Sequence, residues 1–342
     1  MKSPVKRILL IKLRAIGDVL LSTAVIPDVK AAFPGASVDF LTEKFCAGVL
    51  EGNPAVSTLV VFDPKTEGSL DLISRVRRNR YDMVIDLFGN PRSALLALLS
   101  GAGVRVGYRF NWRALCYNRV VEPRGGTVHN VEFNRDALRR IDLPTGSGRP
   151  FFPLEPGAER FAEDFIRTRI PGGERVVALN PGGGWISKRW RPDRFAALGR
   201  KISEADGVRI LVLWGPGEEA EAAAVREEIG PAALLPPATT LKQMASLLKR
   251  SSALVTNDSG PMHIAASLGV PVVAIFGPTV PRLQGPVFTE SSIVVKTGLD
   301  CLGCGYTLCP IGNPCMLDLS VDDVYAAYRH VHQKSINDPL AR

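Results

Sequence analysis

Two successive series of short apolar runs with helical segments between them predict an α/β protein of two doubly wound parallel-sheet domains facing a cleft. Three observations carry this reading. Runs such as "RILLIKL" (7–13) and "PVVAIFG" (271–277) are apolar at nearly every position, as expected of parallel strands covered on both faces. A chain of 342 residues is long enough for two domains, each with its own core. The Gly- and Pro-rich stretch "IDLPTGSGRPFFPLEPG" (141–157) separates the two series.

The first series supplies the strand candidates "RILLIKL", "SVDFLT", "STLVVF", "DMVIDLF" and "VRVGY"; the second supplies "RVVALNP", "RILVLWG", "SALVTND", "PVVAIFG" and "SIVVKT". Helical segments fall at 19–33, 68–80, 192–205, 217–229 and 240–250, with a last helix at 320–335. Strands alternating with helices read as βαβ units. Pro27 lies inside the first helical segment and predicts a kink there. The domains are expected at 1–160 and 170–318, followed by a helix and tail over 319–342.

No apolar run reaches the roughly 20 residues of a membrane span. The longest, "SALLALLSGAGVRVGY", is cut by Gly101 and Gly103, and Lys12 and Arg14 interrupt the N-terminal run before it reaches signal-peptide length. A cytoplasmic chain is expected. The net charge of +8 favours an acidic partner. No run of Lys and Arg interleaved with aromatics points to nucleic acid. "RVRRNR" (75–80) reads as a solvated helix face. "GYRFNWRALCYNR" (107–119), with Arg109 and Arg113, suits either a polar, partly apolar ligand or a packed loop.

Ligands in open α/β sheets bind at the carboxyl ends of strands, and the residues of interest cluster there. Asp18, in the Gly-Asp turn after "RILLIKLRAI", is either a helix N-cap or a general base. A side-chain carboxylate is ionised at neutral pH and can accept a hydroxyl proton. In "LNPGGGWISKRWRPDRF" (179–195), glycines including Gly183 and Gly184 allow close backbone approach to a ligand, and Lys188 follows beside Trp185 and Trp190. No Gly-Lys-Ser/Thr follows, so this is not a P-loop. "VLWGPGEEAEAAA" (212–224) opens a helix with Glu218 and Glu219, which suit the helix dipole or a ribose. "GAGVRVG" (101–107) precedes its strand, so it is no dinucleotide fingerprint.

"NDSGPMHIAASLGVPVVAIFGPT" (257–279) places Ser259 and Gly260 as caps and Pro261 in the first turn of a short helix stopped by Gly269 and Pro271. Its free N–H groups make an anion site, with Asp258, Met262 and His263 around it. Four of the six cysteines, Cys301, Cys304, Cys309 and Cys315, lie in "CLGCGYTLCPIGNPC". Such spacing admits a structural Zn site or an iron–sulfur cluster, with unligated loop thiols as the alternative. His330 and His332 lie on different faces of the last helix and are expected at the surface.

Together, "RILLIKLRAIGDVLLSTAVIPDVKAAFPGASVDFLTE", "NPGGGWISKRWRPDRFAAL" and "VTNDSGPMHIAASLGVPVVAIFGPT" resemble the ADP-heptose:lipopolysaccharide heptosyltransferases, glycosyltransferase family 9, nearest the heptosyltransferase II- and III-type branches. The resemblance runs from about residue 6 to residue 318. It implies a GT-B fold with the acceptor in the N-terminal domain and the nucleotide sugar in the C-terminal one. It implies inversion at the anomeric centre, with no cofactor or metal needed for the chemistry. The family's catalytic Asp matches Asp18 and its phosphate-contacting Lys matches Lys188. Its diphosphate loop matches Asp258, Ser259, Gly260, Met262 and His263, and its ribose-contacting acid falls near Glu218 or Glu219. Where the family has Thr before the Lys, this chain has Gly183 and Gly184, so backbone N–H groups would take over those contacts. Arg14, Arg109 and Arg113 are candidates for the acceptor, a lipid A–Kdo/heptose inner core. Peripheral contact with the anionic inner face of the cytoplasmic membrane follows from that acceptor. A different GT-B transferase or epimerase, or a non-catalytic nucleotide- or metal-binding member, are the rival readings.

Overall fold

The computed structural model describes residues 4–146 and 148–337. Positions 338–342 of the expected tail, and Ser147 in the Gly/Pro-rich stretch, lie outside the described residues. The chain forms two compact units, residues 1–153 and 154–342. No helix among the described residues is long and apolar enough to cross a membrane.

The N-terminal unit runs β1 (Arg7–Ile11), α1 (Ile16–Ser22), α2 (Ile26–Ala32), β2 (Ser37–Glu43), β3 (Thr58–Phe62), α3 (Ser69–Arg78), β4 (Met83–Asp86), α4 (Pro91–Leu99), β5 (Val104–Tyr108), β6 (Arg119–Val121) and α5 (Asn130–Arg139). Its six strands are all parallel, in the order β3-β2-β1-β4-β5-β6. The expected kink at Pro27 is instead a break. A 3₁₀ turn at Thr23–Val25 separates α1 from α2, and Pro27 sits in the first turn of α2, where its missing N–H has no intrahelical role. The core under α3 and α4 gathers Leu9, Ile11, Val84, Leu72 and Leu96.

The C-terminal unit runs α6 (Pro156–Arg169), β7 (Val176–Asn180), α7 (Pro192–Asp206), β8 (Arg209–Val212), α8 (Glu219–Ile229), β9 (Ala233–Leu234), α9 (Leu241–Lys249) and β10 (Ala253–Asn257). It continues with α10 (Gly260–Ser267), β11 (Val272–Phe276), α11 (Pro281–Gln284), β12 (Ser291–Val295), α12 (Pro314–Leu317) and α13 (Val321–Asn337). Its sheet is also parallel throughout, in the order β12-β11-β10-β7-β8-β9. Counted from its own first strand this repeats the order of the first sheet. Helix α13 closes the core, with Val324, Tyr328 and Val331 packed among Phe195, Ile202 and Ile275.

His332 is buried, contrary to the surface position expected of it, whereas His330 is exposed. Its ring stacks on Tyr328 at 5.2 Å and lies 3.9 Å from Asp206. Two residues along a helix turn the side chain by about 200°, so one of the pair faces inward once the helix packs on the sheet.

Candidate active site

In each sheet the chain departs in opposite directions from two adjacent strands, β1 and β4 in one, β7 and β10 in the other. The carboxyl ends at such a reversal form the crevice where open α/β sheets bind ligands. The sequence-predicted residues lie beside these ends.

In the N-terminal unit Asp18 is the third residue of α1, and the cap position belongs to Ala15. The N-cap reading of Asp18 therefore does not hold, and its half-buried carboxylate is available for other work. Asn130, at the start of α5, donates from Nδ2 to Asp18 Oδ1 at 2.6 Å, and Asn134 Nδ2 donates in turn to Asn130 Oδ1. Lys12, one residue past β1, is buried and donates from Nζ to the Leu87 carbonyl at 2.9 Å. Burial lowers the Lys12 pKa, while the nearby carboxylates of Asp18 and Asp86 oppose that shift.

Asp86, the last residue of β4, accepts from the Tyr117 hydroxyl at 2.6 Å and from the backbone N–H groups of Phe88 and Gly89. Burial pushes its pKa up, and these hydrogen bonds, Tyr117 first, pull it back. The acceptor candidates are placed differently from one another. Arg14 is exposed in the turn before α1. Arg109 is paired with Glu122, and Arg113 donates to the Gly89 carbonyl at 2.7 Å while lying over Phe110. Arg113 thus secures the loop after β4.

In the C-terminal unit Lys188 donates from Nζ to Asp258 Oδ2 at 2.6 Å and lies 4.4 Å from the centre of the Trp185 ring. Thr279 donates to the same carboxylate oxygen at 2.7 Å. Asp258 is buried and so gathers the lysine turn and the loop after β11 at the mouth of α10. An ammonium has three donors, so Asp258 leaves two for an anion. Gly260 opens α10, Met262 is wholly in the core and His263 is buried in the first turn. Ser259 occupies the N-cap position without a side-chain cap; Asn180 Nδ2 donates to its Oγ at 3.2 Å, and Thr256 Oγ1 lies at the same distance.

Glu218 does not stand free for a ribose. Its two carboxylate oxygens accept from the N–H groups of Gly183 and Gly215, each at 2.9 Å, and Arg189 pairs with it. The Gly183 N–H therefore faces Glu218, whereas Gly184 is exposed. A Cβ at Gly182 would overlap the Glu218 carboxylate, so a larger residue there would push Glu218 off the Gly183 and Gly215 N–H groups. Glu219, by contrast, is the first residue of α8 and exposed.

Sequence reasoning missed the hub of this region, Asn257. Its amide donates to the carbonyls of Pro181 and Gly182 and accepts from the Trp190 N–H, tying the end of β10 to both sides of the lysine turn. It also missed Lys12, Asp86 and Asn130. A lysine inside an otherwise apolar strand run and an aspartate closing another were the available signals for the first two; Asn130 left none.

Of the two readings of Cys301, Cys304, Cys309 and Cys315, the structural metal finds no support, and the unligated loop thiols fit. All six cysteines are free, and among the described residues no group of three or more His, Cys, Asp or Glu is arranged to hold an ion. Cys315 is buried, and burial first, then the neighbouring Cys301, Cys309 and Cys304, raises its pKa. The segment instead braces the loops around Lys188. The Gly303 and Gly305 N–H groups donate to the carbonyls of Gly277 and Pro278, and Ser187 Oγ donates to the Tyr306 carbonyl at 2.7 Å.

The sequence model of glycosyltransferase family 9 (heptosyltransferase) matches residues 69–313. The chain is similar to lipooligosaccharide heptosyltransferase 2 of Haemophilus influenzae, 25% identical over 300 residues that cover 82% of this chain and 85% of that one. Its fold is similar to that of a family 9 glycosyl transferase from Veillonella parvula, with a TM-score of 0.85 at 24% identity over 98% and 99% of the two chains. It is also similar to that of ADP-heptose lps heptosyltransferase II of E. coli, with a TM-score of 0.78 at 21% identity over 96% and 99%. The two parallel-sheet units are those of the GT-B fold.

Proposed function

This chain belongs to glycosyltransferase family 9, and from that membership we propose that it moves a heptose from ADP-heptose to a hydroxyl of the lipopolysaccharide inner core, with inversion and without a metal. The N-terminal unit takes the acceptor and the C-terminal unit takes the donor. The acceptor oxygen attacks the anomeric carbon as the bond from that carbon to the diphosphate oxygen breaks. The hydroxyl proton passes to Asp18, and the bonding pair leaves on the diphosphate.

The observation that carries this reading is the Lys188–Asp258 pair at the mouth of α10. It fixes a cation beside N–H groups of a helix start, which is what a departing diphosphate requires. The N–H of Gly183 is taken by Glu218, so the anion contacts fall to Lys188, Gly184 and the first turn of α10. Glu219, exposed on α8, is the better placed of the two acids for the ribose. A soluble enzyme at the inner face of the cytoplasmic membrane fits a lipid-borne acceptor.

The test is ADP release from ADP-heptose with a panel of truncated lipopolysaccharide acceptors, run beside Asp18→Ala. Release that requires one acceptor and disappears in the variant supports the proposal and names the step. Donor binding without release for any acceptor would point to another acceptor class, and no donor binding would sink the reading.

A further inference from the structure

Resting on the lipid-borne acceptor proposed above, we infer that one face of the N-terminal unit docks on an anionic lipid bilayer. That face is built from α3, α4 and the 3₁₀ turn Asn111–Cys116, which pack side by side. Helix α4 exposes Pro91, Leu95, Leu98 and Leu99, spaced as one stripe along a helix. Beside it Leu115 is 83% exposed and Trp112 51%, and on α3 Leu70 is 80% exposed. Arg77 at the end of α3 reaches the Leu99 carbonyl, and an apolar cleft of about 240 Å³ opens between the two helices, lined by Leu72, Ile73, Leu95 and Leu96. A set of large apolar side chains gathered on one face in water marks an interaction surface.

Charge selects the occupant. Residues 69–121, which span α3, α4 and the 3₁₀ turn, contain nine arginines against three aspartates, Asp71, Asp82 and Asp86. Arg77, Arg78 and Arg80 are exposed at the end of α3. An apolar ridge rimmed by cations is the composition of a helix lying in the interface of an anionic bilayer. A symmetric pairing of two copies through this face would bring like arginine rims together, which opposes it. Docking here places the unit that takes the acceptor at the lipid surface from which the acceptor projects.

The experiment is co-sedimentation of the full chain with vesicles of phosphatidylcholine alone and of phosphatidylcholine mixed with phosphatidylglycerol. Binding should appear with the anionic vesicles and weaken as salt is raised. Leu98→Asp and Leu115→Asp should each lower partitioning about tenfold or more, since each removes a side chain that buries apolar surface. Both positions are exposed, so melting temperature and ADP release with a detergent-dispersed acceptor should stay at wild-type values. Failure of the wild type to bind anionic vesicles, or undiminished binding by both variants, would overturn the assignment. So would a dimer of the wild type in ultracentrifugation that Leu98→Asp splits. Loss of ADP release with the dispersed acceptor in the wild type itself would instead remove the transferase reading, a result separate from the vesicle measurement.

Discussion

Replacing Asn130 by alanine removes the amide that fixes the proposed base. The bond to Asp18 is 2.6 Å long and joins two half-buried side chains in different elements, α5 and α1. A hydrogen bond to an ionised group contributes about 1.5–3 kcal/mol. Water can reach this pair and replace part of the bond, so the lower figure applies, about 1.5 kcal/mol or about tenfold in kcat. The donor KM should not move, because neither residue belongs to the unit that takes the donor. The assay is steady-state ADP release for wild type, Asn130→Ala, Asp18→Ala and the double variant. Asp18→Ala alone should cost about 10²–10⁴ in turnover. With the base gone the amide has nothing to hold, so the double variant should fall no further. A tenfold loss from Asn130→Ala that persists in the Asp18→Ala background would refute the positioning argument, and so would an unchanged kcat in the single variant.

Lys188→Ala should raise the donor KM and lower kcat by about 10²–10³, the usual cost of one donor to a developing anion, as read by kinetics and ADP calorimetry. Asn257→Ala removes three hydrogen bonds, to Pro181, Gly182 and Trp190, and at about 1 kcal/mol each should lower unfolding free energy by about 3 kcal/mol in urea titration. A Cβ at Gly277 would sit 2.7 Å from both Cys315 Sγ and Met316 Sδ, so Gly277→Ala should cost about 1–3 kcal/mol in thermal melts. Gly184→Ala, with open space around it, should melt as the wild type does. Burial is the largest influence on His332 and lowers its pKa from the usual 6.5, although Asp206 pulls the other way. The unfolded chain then binds the proton more readily, so the stability His332 contributes is present above about pH 6.5 and is lost as pH falls through the folded value. His332→Gln should flatten the melting temperature against pH over that interval.

Each of the ten strands read from apolar runs forms in the structure. Strands β7, β10 and β11 are buried at every position and leave a continuous signal, while the edge strands β3 and β12 are only partly buried and were legible from their β-branched runs. The two not foreseen, β6 and β9, are sheet edges of three and two residues, too short for any pattern to register. The positions of Asp18, Lys188 and the loop at 257–263 at strand ends were legible, because strand-to-helix turns in a parallel sheet lie at the carboxyl edge of their own sheet. The partnerships among them were not. Nothing local in "GPGEE" says that Glu218 bends back to hold Gly183 and Gly215, and nothing in "HNVEFN" says that Asn130 reaches a residue 112 positions earlier. The cysteine spacing invited a metal because spacing alone carries no distances. In the folded segment the Gly303 and Gly305 N–H groups donate to the carbonyls of Gly277 and Pro278.

Each six-stranded sheet is assembled from one stretch of chain, and among the described residues no strand is exchanged between the halves. Synthesis therefore delivers a complete first sheet, with its covering helices, while the second half is still unmade, and the N-terminal half can collapse on the ribosome without waiting for partners from far along the chain. The second half has no such head start. Tyr328 and Val331 of α13 belong to its core, so that core stays open until the final helix has left the exit tunnel. A ribosome stalled before Val321 would release one finished half and one incomplete half with exposed apolar strands, and that product is the one a protease or chaperone would be expected to meet.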